Sequence, residues 1–136
     1  MGIFDKLTGK PTTLTPKSAL VLSAITVIAA DGVIDEAERD LAKIVRGDKK
    51  SIDTVKQVMK ANPFPGVIDL VANVLDEKQK IATLAILCDL AMSDGVLAGQ
   101  EKQILQMYMD KFSVSEAKLS PIIEAIAIKN DFSIFA

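Results

Sequence analysis

Asp31-Gly32-Val33-Ile34-Asp35-Glu36-Ala37-Glu38 is the stretch that decides how this chain folds, because a second version follows at Asp94-Gly95-Val96-Leu97-Ala98-Gly99-Gln100-Glu101. Asp, Gly, Val and Glu recur at the same spacing, and Ile34 is matched by the similar Leu97. An apolar run precedes each Gly, the residue that most readily adopts the left-handed conformation at a helix end. The pattern predicts two helix–turn–helix repeats packed about a pseudo-twofold axis.

Apolar positions at helical spacing fill most of the chain around these two turns. No long stretch alternates apolar and polar residues with the period of two that indicates a β-strand. We therefore predict an all-α fold, a compact bundle of about seven helices with the nearly all-apolar first helix at its centre. The predicted helices cover approximately residues 17–30, 35–46, 52–59, 67–75, 77–92, 104–112 and 115–129.

Capping residues and prolines mark where these helices begin and end. A side-chain oxygen at the N-cap accepts a hydrogen bond from the first helical turn, and Pro is tolerated at the first helical position. Asn62-Pro63-Phe64-Pro65-Gly66 is the strongest loop signal, and Pro121 falls inside the last helix or opens a second segment. The predicted starts are Thr15-Pro16, the capping box Asp76-x-x-Gln79, and Ser113 or Ser115.

The length of the chain, 136 residues, suits one domain. We expect a single domain over residues 15–136, with repeat halves at about 15–61 and 67–130. Residues 1–14 are predicted to form a tail or a short docked helix, in which Ile3, Phe4 and Leu7 share one face.

Composition excludes several classes of function. Sixteen basic and eighteen acidic residues leave a net charge of −2, which offers no electrostatic footprint for nucleic acid. The chain has no His, so Cys–His catalysis is impossible, and the single Cys88 excludes an internal disulfide and is expected to be a core residue. No apolar run is long enough for a transmembrane segment, and the N-terminus lacks a secretory signal. We therefore expect a cytoplasmic location.

The repeated carboxylates have a purely structural interpretation in the first turn. Asp35 and Glu38 form a capping box, and Gly32 ends the preceding helix. In the second turn Ala98 replaces the capping Asp, yet Glu101 is retained. Capping therefore does not explain why both turns keep their carboxylates, whereas a shared role does.

Clustered carboxylates repel one another, and a hard divalent cation relieves that repulsion. Each turn matches the last half of a calcium-binding helix–loop–helix, in which an Asp-Gly pair is followed by an apolar residue and then by Glu. Neither copy has the Asp residues expected in the first half, since Val27 and Ala29 occupy those positions in one copy and Leu90 and Met92 in the other. The sequence therefore predicts one site assembled from both turns.

The two acidic turns on an all-α background resemble the TerB-like tellurite-resistance family, over roughly residues 15–129. The resemblance rests on residues 30–34 with Glu38 and residues 93–97 with Glu101. It implies a divalent-cation site, with calcium, magnesium or manganese as candidates, in a cytoplasmic tellurite and chemical-stress response beside membrane-associated partners such as TerC-like proteins. By motif position the implied metal ligands are Asp31, Asp35, Glu38, Asp94 and Glu101. The second turn departs from the fuller acidic pattern at Ala98 and Gly99.

Three functions compete on this basis. The first is a non-enzymatic, metal-binding interaction module of a stress-response system. The second is a metal-free helical scaffold whose acidic face binds a basic protein partner. The third is a hydrolytic enzyme that uses paired carboxylates, and it requires a cleft beside Asp31 and Asp94.

Overall fold

A computed structural model describes residues 14–31, 46, 49–62, 64–92 and 99–136. These ranges contain six α-helices and a short 3-10 helix, and no strand occurs in them. The predicted all-α class is confirmed. The predicted helix at 35–46 lies outside the described ranges, apart from Arg46. The elements are α1 (Pro16–Asp31), α2 (Lys49–Ala61), α3 (Phe64–Val74), α4 (Glu77–Ala91), α5 (Gly99–Phe112), α6 (Glu116–Asn130) and the 3-10 helix (Phe132–Phe135).

Three helices begin at the caps that the sequence predicted. Thr15 and Ser18 bond each other's amides at the start of α1, at 3.2 and 2.7 Å. The Asp76 and Gln79 side chains accept from each other's backbone N–H at 2.7 and 2.9 Å, which completes the capping box of α4. Ser115 caps α6. Local residues alone set these boundaries.

Two prolines lie within helices. The loop prediction for residues 62–66 was wrong at its end, because α3 already begins at Phe64 and includes Pro65. The first turn of a helix has no internal acceptor for its N–H groups, so Pro65 removes no hydrogen bond there. Pro121 lies inside α6, where it and Ala117 are exposed, so water can reach the carbonyl that Pro121 leaves without a donor.

Helix α1 forms the centre of the bundle, as its composition predicted. It packs against α2, α3, α4 and α5. Val21, Leu22 and Ala24 are completely buried along it. Helix α4 packs in turn against α5 and α6. Within the described residues, none of the helices combines the length and the apolar character needed to cross a membrane.

Candidate metal site

The structure places two of the five predicted metal ligands on packed helices. Asp31 is the last residue of α1, and Glu101 lies in the first turn of α5. Helices α1 and α5 are in direct contact. The other three predicted ligands, Asp35, Glu38 and Asp94, lie outside the described residues.

Glu101 is a buried carboxylate. Only 1% of its surface is exposed, although it lies in the first turn of α5, two residues after the exposed Gly99. Moving a carboxylate out of water is unfavourable unless hydrogen bonds or opposite charge compensate for it. The positive end of the α5 dipole supplies part of that compensation, worth roughly 0.3–1 kcal/mol at exposed sites. Burial of this kind is the environment in which a carboxylate gains most from a nearby cation.

A buried hydroxyl contact joins the two helices that carry Asp31 and Glu101. Thr26 Oγ1 on α1 lies 2.7 Å from the Tyr108 hydroxyl on α5. Thr26 Oγ1 also donates to the Ser23 carbonyl at 2.7 Å, so Tyr108 is the donor in the contact between the helices. Burial raises the pKa of Tyr108 above its ordinary value of 10.0. The hydroxyl therefore stays protonated as a structural donor.

This contact holds α1 against α5 within two helical turns of Asp31 on α1 and of Glu101 on α5. Along the helix axes, Asp31 lies about 8 Å beyond Thr26, and Glu101 lies about 10 Å before Tyr108. The sequence places Thr26 and Tyr108 on the apolar, core-facing sides of their helices, but the hydrogen bond between them was not predicted. A polar atom on an inward helix face requires a partner, and that requirement is the signal that could have found it.

Asp31 and Glu101 belong to the residue types that bind hard cations. Asp31 and Glu101 both offer carboxylate oxygen, the ligand that calcium, magnesium and manganese prefer. Among the side chains in the described ranges, no group of three or more Asp, Glu or Cys residues is close enough to hold a metal ion. A complete site would therefore need carboxylates from residues 32–40 and 93–98, where Asp35, Glu38 and Asp94 lie.

Cys88 is a core residue, as predicted. It is buried on α4, and burial, reinforced by the adjacent Asp89, raises the pKa of its thiol to about 11. A thiol with this pKa is protonated near neutral pH and is a poor nucleophile. An open groove of about 380 Å³ lies above it between α5 and α6, and its described lining includes neither Asp31 nor Glu101.

The described helices form a small all-α bundle in which α5 buries Glu101, the last residue of the second acidic stretch of the sequence. The family model described as tellurite resistance protein TerB matches residues 17–122, which is more than half of the chain. The chain therefore belongs to the TerB family, whose description associates this domain with tellurite resistance. Comparisons with curated proteins and with solved structures found no match.

Proposed function

We propose that this chain is a non-enzymatic, divalent-cation-binding interaction module of a cytoplasmic tellurite and chemical-stress response. Its ligands would be Asp31, Asp35, Glu38, Asp94 and Glu101, and its cation would be calcium, magnesium or manganese. The observation that carries the proposal is the burial of Glu101 in the second acidic turn. Membership of the TerB family supports the biological setting.

Capping alone does not account for a Glu at this position. In a reciprocal capping box the residue before the helix must offer a side-chain acceptor, and Ala98 has none. The Glu101 side chain is buried, whereas Gln79, which occupies the same helical position in α4, is half-buried beside its exposed partner Asp76. A ligand role accounts for both the retention of the carboxylate and its burial.

The chain's own residues would couple cation binding to shape. Thr26 and Tyr108 hold α1 against α5, Asp31 is the last residue of α1, and Glu101 lies in the first turn of α5. When bound, the cation would neutralise carboxylates that otherwise repel one another. The packing of the two turns would then be fixed, and with it the surface presented to a protein partner, which we propose to be membrane-associated and TerC-like.

Thermal unfolding in EDTA, followed by calcium, magnesium or manganese, tests this function. A cation that binds only the folded chain stabilises it by about 2.7 kcal/mol at 100 times its dissociation constant. We expect a rise in the melting temperature with at least one cation, and loss of that rise in the Asp31→Ala/Glu101→Ala double variant. Lys102→Ala, next to Glu101 but exposed, is the matched control.

The alternative function, a metal-free acidic scaffold, makes the opposite prediction. Association with a basic partner would weaken with salt and would be unchanged by EDTA. A melting temperature that no cation alters, together with partner binding that persists in EDTA, would favour this alternative.

A further inference from the structure

The exposed apolar surface of the described residues is concentrated after the middle of α6. Six large apolar side chains are exposed in the described ranges, and four of them belong to residues 128–135. Ile128 is 65% exposed, Phe132 77%, Ile134 61% and Phe135 80%. These four side chains form the apolar end of the described chain. The family match stops at residue 122, so the apolar end lies outside the matched segment.

The groove between α5 and α6 is large and apolar enough to accommodate apolar side chains. Leu105 and Met109 of α5 line one wall, and Leu119 and Ile123 of α6 line the other. Its volume of about 380 Å³ lies in the range of roughly 300–1,000 Å³ that accommodates apolar ligands. The exposure of Phe132 and Phe135 shows that the chain's own apolar end does not fill this groove.

The groove and the apolar end share one helix. The groove is formed by the first half of α6, and the apolar end follows from its second half. A twofold axis that brings the second half of one α6 near the first half of the other would bring each apolar end towards the other copy's groove. Both contacts form together, which is the self-complementary arrangement of a symmetric dimer.

The distribution of charge is also compatible with a second copy of this chain filling the groove. The groove is bordered by Glu116, Glu124 and Lys102, and the apolar end carries Lys129 and Asp131. Each of the two surfaces therefore presents both signs, so neither repels a second copy; within each copy Lys129 pairs with Asp89 and Asp131 accepts from the Ser133 amide. Residues 116–136 contain three acidic and two basic residues, a balance that does not attract an anionic lipid surface.

We propose that this chain forms a symmetric dimer in which the apolar end of each copy occupies the groove between α5 and α6 of the other. The four side chains and the groove surface that they cover would bury on the order of 1,200 Å² over the two contacts, the lower limit for a specific interface. The interface is therefore expected to dissociate on dilution. Its test is separate from that of the cation site, because Glu101 is not among the described residues that line the groove.

Sedimentation equilibrium of the full chain over a range of concentrations tests the dimer. Phe132→Asp alters both symmetric contacts at once, so it should raise the dissociation constant about a hundredfold if each Phe132 contributes about tenfold. Ser120→Arg, an exposed substitution in the groove wall, should weaken the dimer from the opposite side. Met59→Asp, at an exposed apolar residue of α2, is the matched control and should leave the dissociation constant unchanged.

Mixing the two weakened variants gives the sharper result. In a mixed dimer the Ser120→Arg copy offers a normal apolar end to the normal groove of the Phe132→Asp copy. One contact is then intact, and in the other the two introduced side chains carry opposite charges, so the mixed dimer should be tighter than either variant alone. A chain that stays monomeric, a dimer insensitive to Phe132→Asp, or mixing without gain would overturn the proposal. So would a monomer that sediments with phosphatidylcholine–phosphatidylglycerol vesicles through Phe132, since the occupant would then be lipid.

Discussion

Helices α4 and α5 are neighbours, yet they begin in different ways. Helix α4 starts with a complete capping box, in which the exposed Asp76 and the half-buried Gln79 bond each other's amides. Helix α5 starts at Gly99 and places Glu101 at the position that corresponds to Gln79, but with the side chain buried. The third residue of α4, Gln79, thus makes a local hydrogen bond, whereas the third residue of α5, Glu101, is a carboxylate removed from water.

The buried ionisable groups of the two helices also differ in kind. Helix α4 buries the Cys88 thiol, which is neutral near pH 7 because its pKa is about 11. Helix α5 buries Glu101, and a buried carboxylate gains from a compensating charge. A buried neutral group needs only packing, whereas a buried carboxylate also needs hydrogen bonds or an opposite charge. For this reason Cys88 is assigned to the core and Glu101 is proposed as a ligand.

The largest effect is expected from truncating Glu101. Glu101→Ala removes a completely buried side chain that interacts with other groups in the fold, and it should lower the free energy of unfolding by about 3 kcal/mol. Glu101→Gln keeps the size of the side chain and should lower it by less than about 1 kcal/mol. Urea unfolding in EDTA measures both.

Gln79→Ala, at the corresponding position of α4, is the control for this comparison. It loses one exposed local hydrogen bond and should lower the free energy of unfolding by about 0.5 kcal/mol. Equal losses for Gln79→Ala and Glu101→Ala would show that Glu101 has only a local capping role.

A smaller effect is expected at high pH from Cys88. Its thiol pKa is about 11 in the folded chain and 9.0 ordinarily, so the unfolded chain releases this proton first. The free energy of unfolding should therefore be insensitive to this group below pH 9 and fall by about 2 kcal/mol between pH 9 and 11. Tyr108, whose pKa is also raised, adds to the fall above pH 10.

Subtracting the pH profile of Cys88→Ala isolates the contribution of the thiol. The difference between the two profiles should begin near pH 9, before Tyr108 titrates. Parallel profiles from pH 8 to 11 would contradict the assignment of Cys88 as a buried neutral group.

A smaller effect than that of Cys88 is expected from truncating the N-cap residue of α4. Asp76→Ala gives α4 an Ala in the position that Ala98 holds before α5, and it should lower the free energy of unfolding by about 1 kcal/mol. Asp76→Asn retains the acceptor and should remain close to the parent chain. Chemical unfolding measures both, and an Asp76→Ala variant as stable as the parent would contradict the capping role.

Much of the fold could be predicted because its determinants are local. Thr15, Asp76 and Ser115 each act within one helical turn, and so each helix start follows from a few neighbouring residues. The start of α3 was missed because Pro65 is compatible with both a loop and a first helical turn.

The candidate site stays a prediction, for which the sequence singled out Glu101 but not the packing around it. Repetition of the acidic turn identified Glu101, and the structure shows that it is buried. The Thr26–Tyr108 contact and the α5–α6 groove depend on packing between helices distant in sequence, which spacing within a single helix does not encode. The apolar end was missed because apolar residues after a helix do not show whether they face the core or water.

Calorimetric titration of calcium, magnesium and manganese into the parent chain and into Glu101→Gln tests the central claim most directly. Glu101→Gln preserves the shape of the side chain and removes its charge, so it separates a ligand role from a packing role. We predict that the parent chain binds at least one of these cations and that Glu101→Gln binds it at least tenfold more weakly while remaining folded. Absence of binding by the parent chain, or equal affinity in Glu101→Gln, would contradict the claim that Glu101 is a cation ligand.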